Sequence, residues 1–336
     1  MNKVYLKRML SYVAYEDYSI LTVIRFFVKG AFFKTKNRLD KDENLIFFIG
    51  DTSRSDYLDI WSHVIGNKKK LILKFELKIG FNLDFILSLI KNRDSFSEIQ
   101  SIFPSLSSFN ILNIYLRYCF LSENAKAILN GKEVRNITFL SDAFPLEVSI
   151  ISFLDKEKTT IISLQHAFFD EYKHKNTIDE NNYKGLISDC ILCWCNDSAR
   201  VINKYNEIQC MVAGVPKSLI SDSDENRKRV LIIVDYNMKI DSLNINIPNG
   251  YQYYFLFHPK DIRGRGDGGY PILKERVFLR SDIIYGYKSS LVKELIASGI
   301  SVRVFSNVHL SEYNEIKGES KKVTNLYDDF FNKKLL

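Results

Sequence analysis

"RVLIIVD" (229–235) places five aliphatic residues in a row between an arginine and an aspartate. A half-buried strand alternates apolar and polar residues. A continuous apolar run of this length is what a strand covered on both faces looks like. The same pattern recurs in "NLIFFIG" (44–50), "ITFLSD" (137–142), "TTIISLQH" (159–166) and "CILCWC" (190–195). It returns in "YYFLFHP" (253–259), "DIIYG" (282–286) and "SVRVFS" (301–306). Helix-like stretches separate these runs, which indicates βαβ units and parallel sheets. A chain of 336 residues is too long for one ordinary core and suits two domains of about 150 residues. The polar segment "GVPKSLISDSDENRKR" (214–229) follows the strand-like "IQCMVAG" and marks a boundary near residue 220. The expected fold is α/β, with two doubly wound Rossmann-type domains, 1–220 and 221–336, facing a central cleft. Ligands of open α/β sheets sit outside the carboxyl ends of the strands. Residues at those ends therefore carry the functional information.

The composition, 46% apolar and 26% charged, is that of a folded chain and excludes wholesale disorder. No stretch reaches the ~18 uninterrupted apolar residues of a membrane span. The nearest, "YSILTVIRFFVKGAFF" (18–33), is broken by Arg25 and Lys29. Tyr5, Lys7 and Arg8 are not followed by the compact apolar region of a cleavable signal, so a cytoplasmic location is expected.

The net charge of +7 favours anionic partners. Nucleic acid, phosphorylated small molecules and anionic lipid all qualify. Lys3, Lys7, Arg8, Arg25, Lys29, Lys34, Lys36 and Arg38 crowd the start, opposed only by Glu16 and Asp17. This segment reads either as a basic amphipathic helix lying on the inner face of a cytoplasmic membrane or as a solvated cationic cap. Nucleic acid is disfavoured, because the basic residues lack the interleaved aromatics of a stacking platform. Of the five cysteines, "CILCWC" holds a Cys-x-x-Cys, but no second pair follows at zinc spacing. Buried thiols in a strand explain it better than a metal.

Several strand ends carry chemistry. In "YQYYFLFHPKD" (251–261), Pro259 holds His258 out of helical geometry at a strand exit, with Lys260 next. An imidazole there can protonate or hydrogen-bond a phosphate oxygen. In "DIIYGYKSSLVKELIASGI" (282–300), Lys288, Ser289 and Ser290 stand where a strand turns into a helix. Free backbone N–H groups and serine hydroxyls favour an anion at such a turn. Gln165 and His166 end another strand, with Asp170 and Glu171 beyond; Ser141 and Asp142 end a third; Gly50 and Asp51 end the first strong one. Each acid or imidazole could accept a proton, and each acid is equally an ordinary helix cap. "GRGDGGY" (264–270) follows no strand directly and lacks a Gly-Lys-Ser/Thr, so it is a loop rather than a P-loop.

His258-Pro259 followed by Ser289-Ser290 resembles the paired His-Pro and Ser-Ser motifs of bacterial sialyltransferases. More broadly, the order of "SLQHAFFDEY", "ILCWCNDSA", "VAGVPKS", "FLFHPKD" and "IIYGYKSSLVKELIASG" is similar to surface-polysaccharide transferases of the GT-B fold. The likeness spans roughly 137–306. It implies a GT-B-like, inverting, metal-independent transfer of a sugar from a CMP-linked donor, with no further cofactor. The acceptor would be a hydroxyl of an oligosaccharide or lipid-linked glycan, such as an O-antigen, capsule or lipooligosaccharide precursor. By the same likeness, residues 1–220 would face the acceptor and 221–336 would bind the nucleotide sugar. His258 would assist the departing phosphate, Ser289 and Ser290 would hold its oxygens, and Pro259 would fix the imidazole.

The chain departs from those sialyltransferases in lacking their acidic Asp/Glu-Asp/Glu-Gly triplet in its N-terminal half, and Gln165-His166 is followed by Ala167 instead of glycine. Asp142 is the first candidate for the general base, ahead of His166 and Glu171. A donor of another kind (CMP-Kdo or a UDP-sugar) is the nearest alternative. A non-catalytic nucleotide- or glycan-binding module of the same fold is the alternative from another class.

Overall fold

Phe47 and Phe48 are neighbours in one strand, and both are completely buried. Successive strand side chains point to opposite faces, so both faces of the sheet must be covered. The computed structural model describes residues 5–9, 19–53, 55–65, 71–166, 183–214, 228–234, 245, 247–257, 269–273, 278–279, 282–286, 291–292, 295, 300, 302–304 and 331. Its contacts form two compact units: Met1–Cys193 with Ala199–Met211 and Phe330–Leu336, and Trp194–Ser198 with Val212–Asp329.

The first unit opens with α1 (Ile20–Phe32), β1 (Phe33–Thr35), β2 (Glu43–Ile49), α2 (Ser55–Ile65), β3 (Leu71–Lys74) and β4 (Leu77–Ile79). It continues with α3 (Leu83–Lys91), α4 (Arg93–Ile102), α5 (Ser108–Leu129), β5 (Val134–Phe139) and α6 (Pro145–Ile151). Next come β6 (Thr160–Leu164), β7 (Cys190–Cys193), α7 (Asn196–Asn203) and β8 (Gln209–Val212). Six strands form one sheet in the order β3-β2-β5-β6-β7-β8. From β3 to β7 the pairing is parallel, with Phe48 beside Phe139 and Phe139 beside Ser163.

Phe48, Phe139 and Ile161 face a core shared with Ile114 and Ile128 of α5. Phe47 faces the other way, where its ring meets Trp61 of α2 edge-on at 6.1 Å and Phe331 at 5.0 Å. The sheet is thus covered on both faces. Truncating one such fully buried phenylalanine to alanine costs about 3–5 kcal/mol. Helix α5 runs for 22 residues and packs against α1, α3, α4 and α6. Ser107 caps its start, and Asn130, in the left-handed region at φ 50°, ends it.

One feature departs from an all-parallel reading. β1 and β4 form a separate antiparallel ribbon that pairs Phe33 with Ile79 and Thr35 with Leu77.

The second unit contains β9 (Arg229–Val234), β10 (Gln252–Phe257), β11 (Ile283–Gly286) and β12 (Val302–Val304). They pair in parallel in the order β10-β9-β11-β12. All six residues of β9 are buried, as the aliphatic run requires. Its first residue, Arg229, meets Asp282 at the head of β11 through two bonds, Nε to Oδ1 at 2.9 Å and Nη2 to Oδ2 at 2.7 Å. Asp282 Oδ2 also accepts the Leu279 backbone N–H at 2.7 Å. A bidentate pair of this kind satisfies two buried charges at once.

Both sheets start alike: the first strand lies one place in from an edge, the second forms that edge and the third lies on the other side. The protein is thus an α/β protein with parallel multi-strand sheets and helices, compatible with a Rossmann-like fold. Among the described residues no helix is long and apolar enough to cross a membrane.

Asp282→Asn leaves the buried Arg229 without a full counter-charge and is expected to lower stability by about 3–5 kcal/mol. Arg229→Met combined with Asp282→Leu should recover much of that loss. Denaturant melts of the three proteins check this. A harmless Asp282→Asn would show that the pair is not what joins β9 to β11.

Candidate functional site

In the first sheet β2 and β5 are adjacent, yet the chain leaves β2 towards β3 on one side and reaches β6 on the other. The order reverses between β2 and β5, and open α/β sheets form their ligand crevice outside the carboxyl ends at such a point. Gly50 and Asp51 follow β2 there. Ser141 and Asp142 follow β5, and Gln165 and His166 follow β6.

Asp142 has an anchoring role. Its side chain is fully buried and accepts four hydrogen bonds. Oδ1 takes Arg8 Nη2 at 3.0 Å, while Oδ2 takes Ile187 N at 2.7 Å, Ser188 N at 2.8 Å and Ser188 Oγ at 2.6 Å. Arg8 also donates to the Lys184 carbonyl at 2.5 Å. The carboxylate joins the segment 5–9, the end of β5 and the loop before β7. With its oxygens met by four donors, Asp142 is an anchor in this fold, and its expected part as general base rests on its strand-end position alone.

Glu147, five residues on, is the carboxyl of this edge with a different environment. Pro145 is the first residue of α6, a position that suits proline, and Phe144 precedes it as the cap. Glu147 therefore sits in the first turn. It is 3% exposed and lies against Gly50. A Cβ at residue 50 would stand 2.1 Å from Glu147 Oε1, so only glycine leaves room for the carboxyl. Burial raises its pKa to about 8; its own backbone N–H pulls the other way, and the charge of Asp51 adds to the rise. Asp51 itself is exposed and bonds Ser53 N at 2.8 Å and Ser53 Oγ at 2.6 Å, which shapes the turn after β2. A carboxyl that titrates near neutrality can give or take a proton at working pH.

His166 belongs to an aromatic cluster on the same edge. Its ring lies edge-on to Tyr57 of α2 at 5.8 Å and tilted on Phe144 at 5.4 Å, while Tyr57 and Phe144 stack at 5.9 Å. Gln165 is fully buried, and its backbone N–H bonds the Leu192 carbonyl at 3.0 Å, continuing the β6–β7 ladder. The structure thus brings Gly50, Asp51, Asp142, Gln165 and His166 to one edge. Glu147 joins them and was not singled out from sequence. Its signal was Pro145, which sets where the helix starts and hence which acid falls in its first turn.

Asp170, Glu171, His258, Pro259, Lys260, Lys288, Ser289 and Ser290 lie outside the described residues. The strands leading to two of these groups are described. β10 ends at Phe257, one residue before His258, and β11 ends at Gly286. Both pair in parallel with β9, so they finish on the same edge of the second sheet. Two strand spacings separate them, about 10 Å. Gly286 has no room for a side chain, since a Cβ would lie 2.4 Å from Val292 Cγ2. Val292 therefore lies directly against the strand end.

Elsewhere, all five cysteines are free thiols, and four are buried. No cluster of three or more His, Cys, Asp or Glu side chains that could hold a metal occurs among the described residues. A basin of about 720 Å³ opens at the opposite edge of the first sheet, beside Val134, Thr159 and Thr160. It holds the exposed Lys158–Glu133 pair and lies at the strands' amino ends, where such sheets do not place ligands. In comparisons with known proteins, no family model and no curated protein matches this chain.

Glu147 links folding to pH in a definite direction. The unfolded chain loses this proton near 4.5, whereas the folded one keeps it to about 8. Between those values the folded state binds more protons, so stability falls as pH rises. Glu147→Gln removes the linkage. The variant should gain on the unmodified chain by a few kcal/mol (order of magnitude) between pH 5 and pH 8 in paired denaturant melts. Parallel pH dependences would show that the carboxyl titrates normally.

Proposed function

We propose that this protein is an inverting, metal-independent glycosyltransferase of GT-B arrangement. It moves sialic acid from CMP-sialic acid to a hydroxyl of a bacterial surface glycan precursor at the cytoplasmic side of the membrane. The observation that carries the reading is Glu147, a dry carboxyl whose pKa burial raises to about 8, at the strand-end edge of the first sheet where the strand order reverses. Such a group suits removal of a proton from a weakly acidic hydroxyl, because a raised pKa makes its anion a stronger base.

In this mechanism the Glu147 carboxylate accepts the proton of the acceptor hydroxyl. That oxygen attacks the anomeric carbon of the donor from the face opposite the phosphate, which gives inversion. The bond from the anomeric carbon to the phosphate oxygen breaks as the new glycosidic bond forms, and CMP leaves with the electron pair. His258 donates a proton or hydrogen bond to the departing phosphate, and Ser289 and Ser290 hold its other oxygens. The common edge reached by β10 and β11 supports this pairing of His258 with Ser289-Ser290. The Tyr57–Phe144–His166 cluster lies on the same strand-end edge and would offer an apolar surface to the hydrocarbon face of a sugar ring.

The test is donor turnover against CMP- and UDP-sugars, with and without a chelator. Turnover of a CMP-sugar that ignores the chelator is expected. Glu147→Gln and His258→Ala should each lose about 10²-fold or more while remaining folded. The rate of the unmodified enzyme should climb with pH towards about 8 as Glu147 ionises. Strict metal dependence, full activity in Glu147→Gln, or no turnover of any donor would overturn the reading; the last is the behaviour of a binding module.

A further inference from the structure

Helix α1 is inverted relative to an ordinary surface helix. Its buried residues are Val23, Gly30 and Ala31, all modest in size. Its large apolar residues face water instead: Leu21 is 72% exposed, and Ile20, Ile24, Phe27, Val28 and Phe32 are exposed with it. These positions recur at helical spacing and form one stripe, the stripe that normally faces a core.

The stripe continues onto a second element. Ile79 at the end of β4 is 83% exposed, Phe81 in the turn after it 62%, and Ile90 of α3 68%, with Leu83 and Leu87 between. The two halves are locked together. Phe85 of α3 fits over Gly30 so closely that a Cβ there would lie 2.3 Å from its ring. Phe27 meets Phe85 at 6.3 Å, and Phe32 meets Phe81 at 6.1 Å. Asn82 ties the end of α1 to the start of α3. Its backbone N–H bonds Ala31 O at 2.8 Å, its Nδ2 bonds Phe33 O at 3.1 Å, and its Oδ1 caps Phe85 N at 3.3 Å. A rigid, contiguous apolar face of this kind marks an interaction site.

Charge identifies the occupant. Residues 19–39 contain Arg25, Lys29, Lys34, Lys36 and Arg38 and no acid, and of these Lys36 pairs with Glu76 at 3.1 Å. Residues 77–92 add Lys78 and Lys91 against the single acid Asp84. Lys29 is held below the usual lysine range by burial first, then by the neighbouring charges of Arg25 and Arg117. Cations that repel one another beside an exposed apolar stripe call for an anionic partner. A second copy of the chain would bring the same cations against each other.

We propose that α1, the β4–α3 turn and α3 form a docking face for an anionic lipid bilayer. Leu21, Phe81 and Ile90 enter the boundary between headgroups and acyl chains, and the lysines and arginines meet lipid phosphates. The proposal is independent of the transferase reading.

The test is co-sedimentation of the full chain with phosphatidylcholine vesicles, with and without about one-third phosphatidylglycerol. The unmodified chain should pellet with the anionic vesicles and be released several-fold by high salt. Phe81→Glu or Ile90→Glu should lower partitioning about tenfold or more. Arg25→Glu should weaken binding and flatten its salt dependence, while Lys158→Glu, on neither segment, leaves binding unchanged. No pelleting with anionic vesicles, or Phe81→Glu and Ile90→Glu variants that pellet like the unmodified chain, would overturn the proposal. So would light scattering that shows a dimer made monomeric by those two changes. The salt release of the unmodified chain reads the same question without any variant.

Discussion

A carboxylate removed from water must be met by donors, and Asp142 is met by four. Removing one partner of such a buried pair costs about 3–5 kcal/mol, a large part of the 5–15 kcal/mol that holds a domain together. The segment around Arg8, the end of β5 and the Ile187–Ser188 backbone are therefore not free to drift apart. With β5 pinned at its exit, the next turn is set as well: Pro145 starts α6, and Glu147 comes to rest against Gly50. The layout of this strand-end edge follows from satisfying one charge.

The same edge treats its two carboxyls in opposite ways. Asp142 is surrounded by an arginine, two backbone N–H groups and a hydroxyl. Glu147 is dry and near Asp51, a charge of its own sign. Dry, like-charged surroundings raise a carboxyl's proton affinity, and neighbouring carboxyls with different environments are a recurring basis for acid–base chemistry. Gly50 is what permits the arrangement, since any side chain there would displace the Glu147 carboxyl.

The strands were legible in the sequence because a doubly covered strand has no polar side to hide. "NLIFFIG", "CILCWC" and "RVLIIVD" became β2, β7 and β9. The basic amphipathic stretch 18–33 became α1, with Arg25 exposed among its apolar neighbours. Shorter and more polar elements gave no such signal. β3 is only "LILK", and the β1–β4 ribbon pairs two three-residue strands that carry lysines opposite one another. The site was legible as an edge, but its residues could not be ranked. Asp142 stands at a strand end, where anchors and proton acceptors look alike. Its partner Arg8 is 134 positions away in sequence. Glu147 stands inside a helix, and its contact, Gly50, belongs to a different strand. Long-range packing decides both roles, and local pattern cannot report it.

Burial in this fold raises the Glu147 carboxyl to about 8. Carbon-13 NMR of the protein labelled at glutamate side-chain carboxyls measures this directly, with Glu147→Gln identifying the resonance. A titration midpoint near 8 is expected for that signal. A midpoint near the ordinary glutamate value of 4.5 would contradict it.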